Sequence, residues 1–373
     1  MFKKILVFDK GGREERIELI KKNEAPKDFF QGIEFLKSKG FNITHLSSVK
    51  NYKNNLLFKS GNFLEEFFSK LTKIGIRPLS VFQFNEKVNS ADYLVSLTDG
   101  FSLSLGFYYY FINRKNKIKL VGAFHRLSDY DTNLPIFLKF LYWKIISKIL
   151  KRLDYIVFYG PADRVNSINH FKIPRKKTYI LKFGVDTEFW IPNKKETFKS
   201  NYLFSIGQDP ARDFNTLLRV KTNKKIHIHT SLLKPRERKS FKITNGSYHK
   251  LKSSLTDVEI RKLYQESFAV VVPLKDVFQP SGYSVTLQAM ACGKPVILTL
   301  TKGLWAPKIF KNLENCILVK PYSPLQIENS ISLLEADKNI YNLISENALK
   351  TAREYFCLEK SYSSTYDLFK KFN

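Results

Sequence analysis

Residues 270–299 read Val270-Val-Val-Pro273-Leu-Lys-Asp-Val-Phe-Gln279-Pro280-Ser281-Gly282-Tyr283-Ser284-Val-Thr-Leu-Gln288-Ala-Met-Ala-Cys292-Gly293-Lys-Pro295-Val-Ile-Leu-Thr299. The apolar runs at 269–272 and 295–299 do not alternate with polar residues, so each reads as a strand covered on both faces, as in a parallel sheet. Pro280 and Gly282 break the chain between them, and 284–292 reads as a helix stopped by Gly293. A strand–loop–helix–strand unit of this kind opens its loop at the carboxyl ends of the strands, where parallel sheets bind ligands. Ser281, Gly282 and Ser284 at the helix start suit an anion: free backbone N–H groups and the helix dipole point at the loop, and small side chains let a phosphate approach.

The same pattern extends in both directions. Strands are expected at 5–8, 41–46, 93–97, 119–124, 154–159, 202–206, 226–229 and 316–319. Helices are expected at 101–112, 135–153, 161–170, 256–266, 324–336, 338–355 and 358–371. Such repetition indicates an α/β architecture, and 373 residues are enough for two domains of ordinary size. Sixty-two Lys and Arg against 34 Asp and Glu give a net charge of +28, which favours an anionic partner or reflects solvated lysine-rich faces. Cys292, Cys316 and Cys357 are spaced without a metal-type pairing and read as reduced core residues in a cytoplasmic setting. No stretch reaches the eighteen or so apolar residues of a membrane-spanning helix.

Ser281-Gly-Tyr-Ser-Val-Thr-Leu-Gln288-Ala-Met-Ala-Cys-Gly-Lys-Pro-Val296 resembles the donor-binding signature of the retaining GT-B glycosyltransferases of glycosyltransferase family 4. In that signature two glutamates, separated by seven residues, precede Ala-Met-Ala. Here Pro280 stands at the first and Gln288 at the second. Residues 183–190, Phe-Gly-Val-Asp-Thr-Glu-Phe-Trp, resemble the family's hinge signature with Phe183 in place of an asparagine. Gly207-Gln-Asp-Pro-Ala-Arg212 corresponds to the stretch whose two cations neutralise the donor diphosphate; Gln208 replaces the first and Arg212 stands at the second.

The resemblance implies two Rossmann-like domains with parallel sheets facing a cleft. An acceptor-binding domain would span 1–185 and a nucleotide-sugar-binding domain 186–357, with a final helix, 358–373, packed back on the first. It also implies transfer of a sugar from a nucleotide-sugar donor to a glycan or lipid-linked acceptor, with retention, in surface polysaccharide or glycolipid biosynthesis. The resemblance implies that neither a cofactor nor a metal is required. Donor contacts are expected from Gly11, Gly12, Gly207, Arg212, Ser281, Gly282, Tyr283, Ser284 and Gln288, with His125 and Arg212 as catalytic residues. Gly11 and Gly12 follow the first strand and read either as a ligand loop or as a plain turn. His125 ends a strand and either lies in the cleft or caps the next turn.

Asp129-Tyr-Asp131 spells a metal-binding pattern of a different glycosyltransferase fold, and its isolation favours a surface loop. His227 and His229 share one strand face, too few ligands for zinc. Lys144, Lys148 and Lys151 stripe the helix at 135–153 beside Tyr142 and Trp143, which reads either as a solvated edge or as a surface that docks on the anionic inner face of a membrane. The missing acids keep open a pseudoenzyme or epimerase-like relative. The charge keeps open a basic nucleic-acid-binding protein, although nucleic acid is not the expected partner because no recognition motif accompanies the charge.

Overall fold

The computed structural model describes residues 3–10, 13–30, 32–48, 63, 65, 66, 69, 75–82, 84, 88, 91–113, 117–129, 136–193, 198–244 and 255–371. Among them, β1 (Lys4–Lys10), β2 (Asn42–Ser48), β3 (Tyr93–Ser96), β4 (Lys119–Phe124), β5 (Tyr155–Phe158) and β6 (Thr178–Ile180) form one sheet in the order β2-β1-β3-β4-β5-β6. All of its pairings are parallel. Side-chain alternation divides each strand between two cores. Leu6 and Phe8 of β1 join Leu94, Leu120 and Phe158 under the helices Asp99–Phe107 and Ile136–Arg152. Ile5 and Val7 join Val95, Val121 and Val157 on the other face, beneath Ile33, Leu36, Leu368 and Phe369. Burial on both faces is why these strands read as continuous apolar runs.

The second sheet contains β7 (Tyr202–Ile206), β8 (Lys225–His229), β9 (Arg236–Glu237), β10 (Phe241–Thr244), β11 (Val270–Val272), β12 (Val296–Thr299) and β13 (Ile317–Val319). Its order is β13-β12-β11-β7-β8-β10-β9, parallel except for the short β9–β10 pair. Phe204, Val270, Val272, Val296 and Leu298 pack beneath the helix Tyr283–Ala291 and Ala348 and Ala352 of Lys338–Tyr355. Leu203, Ile226, Ile228, Val271 and Ile297 face Ile327, Ile331, Tyr341 and Ile344.

The final helix, Leu358–Lys371, lies against the first sheet. Tyr362 stacks on Phe35 at 4.9 Å between ring centroids, and Phe369 meets Phe41 and Tyr93 edge to face. The Val185 N–H donates to the Phe356 carbonyl at 2.7 Å, so the two chain crossings between the sheets are bonded to each other.

The structure departs from the sequence reading in three places. The helix expected at 101–112 ends in a π-helical turn, Tyr108–Ile112, where Tyr108 and Tyr109 are buried but Phe111 and Ile112 are exposed. The β9–β10 hairpin was unanticipated, because two- and four-residue strands carry too little periodicity to read. Asp129 does not lie on a surface loop. It is buried, and its carboxylate accepts the Gln279 N–H at 2.7 Å and the Phe278 N–H at 3.4 Å from the opposite half of the molecule. Tyr130 and Asp131 lie outside the described residues.

Candidate active site

The carboxyl ends of both sheets meet at a cavity of about 970 Å³. His125, Gly207, Arg212, Ser281, Gly282, Tyr283, Ser284 and Gln288 all line it. Gly11 and Gly12 lie outside the described residues.

Its floor is built around Arg212. The segment after β7 turns back so that Arg212 bridges antiparallel to Leu274 at the end of β11, beneath the loop that leads to the helix Tyr283–Ala291. The side chain is buried, yet Nε and Nη1 have no hydrogen-bond partner among the described residues. Burial works against the charge and lowers the Arg212 pKa, while nearby Asp209 acts in the opposite direction. Guanidinium remains cationic in proteins, so a buried fork with unused donors, opening on a cavity, is arranged to receive an anion.

Two glycines make room for it. A Cβ on Gly207 would stand 2.2 Å from Arg212 Nε. Gly282 has φ +84°, and a Cβ there would stand 2.8 Å from Val272 Cγ1 and 3.4 Å from Arg212 Nη1, so both the backbone and the space require glycine. Gly282 caps the helix, whose first returning bond runs from Thr286 N–H to the Gly282 carbonyl. Tyr283, Ser284 and Val285 therefore contribute N–H groups that the helix itself leaves unused, on the cavity wall.

Ser281 is engaged differently from expectation. Its hydroxyl donates to Asp209 Oδ2 at 2.7 Å, and its N–H donates to the Gln279 carbonyl at 2.8 Å. Gln279 Nε2 donates to the same Asp209 oxygen at 2.6 Å. Ser281 thus orders the loop beside Arg212, with Asp209 as the post. Gln208 accepts from the Ser231 N–H at 2.6 Å and from its hydroxyl.

His125 enters from the end of β4. Asp99 accepts the His125 and Arg126 N–H groups at 3.1 Å and faces His125 Nδ1 at 3.2 Å. A carboxylate can only accept, so Nδ1 carries a proton toward Asp99 and Nε2 is the ring's other nitrogen. The imidazole stacks on Tyr159 at 4.4 Å and lies nearly parallel to Tyr283 at 6.3 Å, joining the two halves of the molecule. Asp99 falls between the strand expected at 93–97 and the helix expected at 101–112; its role depends on β3 and β4 being neighbours.

Gln288 is buried between residues distant in sequence. Its Nε2 donates to Asp28 Oδ2 at 3.2 Å, and its Oε1 accepts from the Tyr264 hydroxyl at 3.3 Å. Asp28 also accepts from Trp190 Nε1 at 2.8 Å and from the Asp186 N–H at 2.6 Å. Nothing in the sequence around Asp28 announces this.

At the far end of the cavity, Ile206, Leu255, Val258 and Ile260 form an apolar wall beside His229. His229 Nδ1 and His227 Nε2 both meet Thr244 Oγ1, at 2.8 and 3.2 Å. Burial lowers the pKa of both imidazoles. Arg16 pairs with Asp257 at 2.8 Å across the opening. Among the described residues no group of three or more His, Cys, Asp or Glu is placed to hold a metal.

Two facing Rossmann-like sheets with this cleft define the GT-B fold, and the solved structures agree. Anabaena Alr3699/HepE, crystallised with UDP-glucose, superposes with a TM-score of 0.67 at 14% identity over 99% of this chain and 100% of its own. A sucrose-phosphate synthase from Thermosynechococcus elongatus gives 0.70 at 13% identity over 99% of each chain. Residues 237–351 match the family described as Glycosyl transferases group 1. An uncharacterized glycosyltransferase of Methanocaldococcus jannaschii, MJ1607, is 32% identical over 111 residues, 30% of this chain. The chain spans little more than a quarter of the curated relatives it matches, 27% and 28% of their lengths.

Proposed function

We propose that this chain is a metal-independent glycosyltransferase that moves a sugar from a nucleotide-sugar donor to a glycan or lipid-linked acceptor with retention of configuration. The observation that carries the reading is Arg212: a buried guanidinium whose Nε and Nη1 have no hydrogen-bond partner among the described residues, under two obligatory glycines at the start of the Tyr283–Ala291 helix. That arrangement suits the diphosphate of a donor, because the departing nucleoside diphosphate gains charge as the glycosidic bond breaks. Arg212 and the N–H groups of Tyr283, Ser284 and Val285 neutralise that charge. The departing phosphate accepts the acceptor's proton, so the acid missing at Pro280 is not needed as a base. Gln288 contacts the donor ribose, and His125 positions the reacting sugar. Residues 1–185 bind the acceptor and 186–357 the donor.

The setting proposed is surface polysaccharide or glycolipid assembly on the inner face of a membrane. Among the described residues no helix is long and apolar enough to cross one. The helix Ile136–Arg152 supports surface docking: Ile136, Phe140 and Leu141 are exposed, at 86, 70 and 53%, beside exposed Lys144, Lys148 and Lys151. Exposed Phe111 and Ile112 lie on the turn packed against this helix. Apolar side chains among lysines fit an anionic lipid surface.

A thermal-shift screen of UDP-, GDP- and ADP-sugars with their nucleoside diphosphates tests the reading. One nucleotide series should raise the melting temperature in a concentration-dependent way that persists at high salt. Product analysis then separates glycoside formation from free sugar or an isomerised nucleotide sugar. No stabilisation by any of the three series would overturn the proposal.

A further inference from the structure

We propose that Asp28 is a positioning residue for the donor diol, acting through Gln288 as a carboxylate–amide dyad. The proposal rests on the donor reading above. Gln288 lines the cavity, whereas Asp28 stands behind it, 2% exposed. Among the described residues, every hydrogen bond on the Asp28 carboxyl comes from a donor: Trp190 Nε1, the Asp186 N–H and Gln288 Nε2. Once ionised, as pH rises above about 7, the Asp28 carboxyl accepts only, so the amide nitrogen of Gln288 then faces Asp28 and its oxygen faces Tyr264. The flip of the amide is thus set by Asp28.

Donating to a buried carboxylate also polarises an amide, making its carbonyl oxygen a stronger acceptor. The oxygen keeps a second lone pair, and the nitrogen a second hydrogen, for the cavity side. One acceptor and one donor at a fixed spacing match a vicinal diol. A charge held one bond behind the wall does the work of a carboxylate on the wall. It also accounts for the amide at 288: a glutamate there would bring two carboxylates to hydrogen-bond distance with little solvent to screen them, and one would be forced to take a proton.

Asp28 belongs to the first half of the chain and Gln288 to the second. Trp190 and Asp186 belong to the crossing between the sheets, so the dyad is complete only when the halves are together as seen here. Lys27 N–H donates to Asp186 Oδ2 at 3.0 Å while Asp186 N–H donates to Asp28 Oδ1 at 2.6 Å, a reciprocal clamp that holds Asp28 in place.

Calorimetry on the whole chain tests this. The probes are UDP, GDP and ADP, the 2′,3′-dideoxy counterpart of whichever binds, and inorganic pyrophosphate. Asp28→Asn should weaken the diol-bearing ligand by about tenfold, the loss of one well-placed hydrogen bond, and leave the dideoxy ligand and pyrophosphate within about twofold. Exchanging the partners, Asp28→Asn with Gln288→Glu, retains one charge and one amide and should return the diol-bearing ligand to within about threefold of the natural protein. This exchange remains informative if either single variant fails to fold. A purely structural Asp28 would lower all three ligands alike. Equal loss for all three, no loss for any, or no rescue by the exchange overturns the dyad while leaving the donor reading standing. Failure of the natural protein to bind any of the nucleotides removes the donor reading, and the dyad with it.

Discussion

Replacing Gly207 by alanine should disable the anion site by displacing Arg212. The new methyl would stand 2.2 Å from Arg212 Nε, 2.8 Å from Cζ and 3.0 Å from Cδ. Ordinary contact lies near 3.5 Å, so the guanidinium must retreat by roughly 1.3 Å. The clash falls on the root of the fork, not on its tip, and burial leaves little room for the whole group to swing. Overpacking of this kind costs about 1 to 3 kcal/mol of stability. A displacement of that size takes at least one charge-assisted hydrogen bond out of range, which is worth about 1.5 to 3 kcal/mol, or roughly 10- to 100-fold in affinity. Calorimetry with the nucleoside diphosphate that gives the largest thermal shift measures this on the natural protein, Gly207→Ala, Arg212→Ala and the double variant. If the glycine acts through Arg212, the double variant binds no more weakly than Arg212→Ala. Wild-type affinity in Gly207→Ala, or fully additive losses in the double variant, would refute the reasoning.

His125→Ala should lower turnover by about tenfold or more while nucleotide affinity stays within about twofold, and Asp99→Asn should reproduce part of that loss because it releases the imidazole; steady-state kinetics beside calorimetry decides. Changing Lys144, Lys148 and Lys151 to glutamate should abolish flotation with anionic vesicles, since three lysines near such a surface are worth on the order of a hundredfold in binding; equal recovery with neutral vesicles would sink the docking surface. Burial, with a smaller contribution from the like charge of Asp186, raises the Asp28 pKa to about 7 against its hydrogen bonds. The folded state therefore takes up a proton between roughly pH 4 and 7: the contribution is complete below the unfolded value near 4 and is lost as pH rises through about 7. Melting temperatures of the natural protein should fall more steeply than those of Asp28→Asn from pH 5 to 8, and parallel profiles would contradict this origin.

The positions of strands and helices could be read along most of the chain because burial on both faces leaves uninterrupted apolar runs, and Gly and Pro mark where they stop. Ser281, Gly282 and Ser284 were legible for a related reason, because they stand at a helix start where local chemistry is written in a few adjacent residues, whereas Gly207, Arg212 and Gln288 were pointed to by the resemblance to a known signature. What Ser281 and Gln288 bond to was not. Ser281 spends its hydroxyl on Asp209, and Gln288 is bound to Asp28, 260 residues earlier. Asp129 shows the same limit: an acidic pattern that reads as a surface loop becomes a buried acceptor for Gln279 once the sheets face each other. Carboxylates and amides have no periodicity, and their partners are chosen by which strand ends the fold brings together. Sequence by itself determined the two sheets and pointed to Gly207, Gly282 and Arg212; only the tertiary structure decided that Arg212 is buried and which acids stand behind the cavity wall, because their pairing is a property of the closed cleft and of no single stretch of chain.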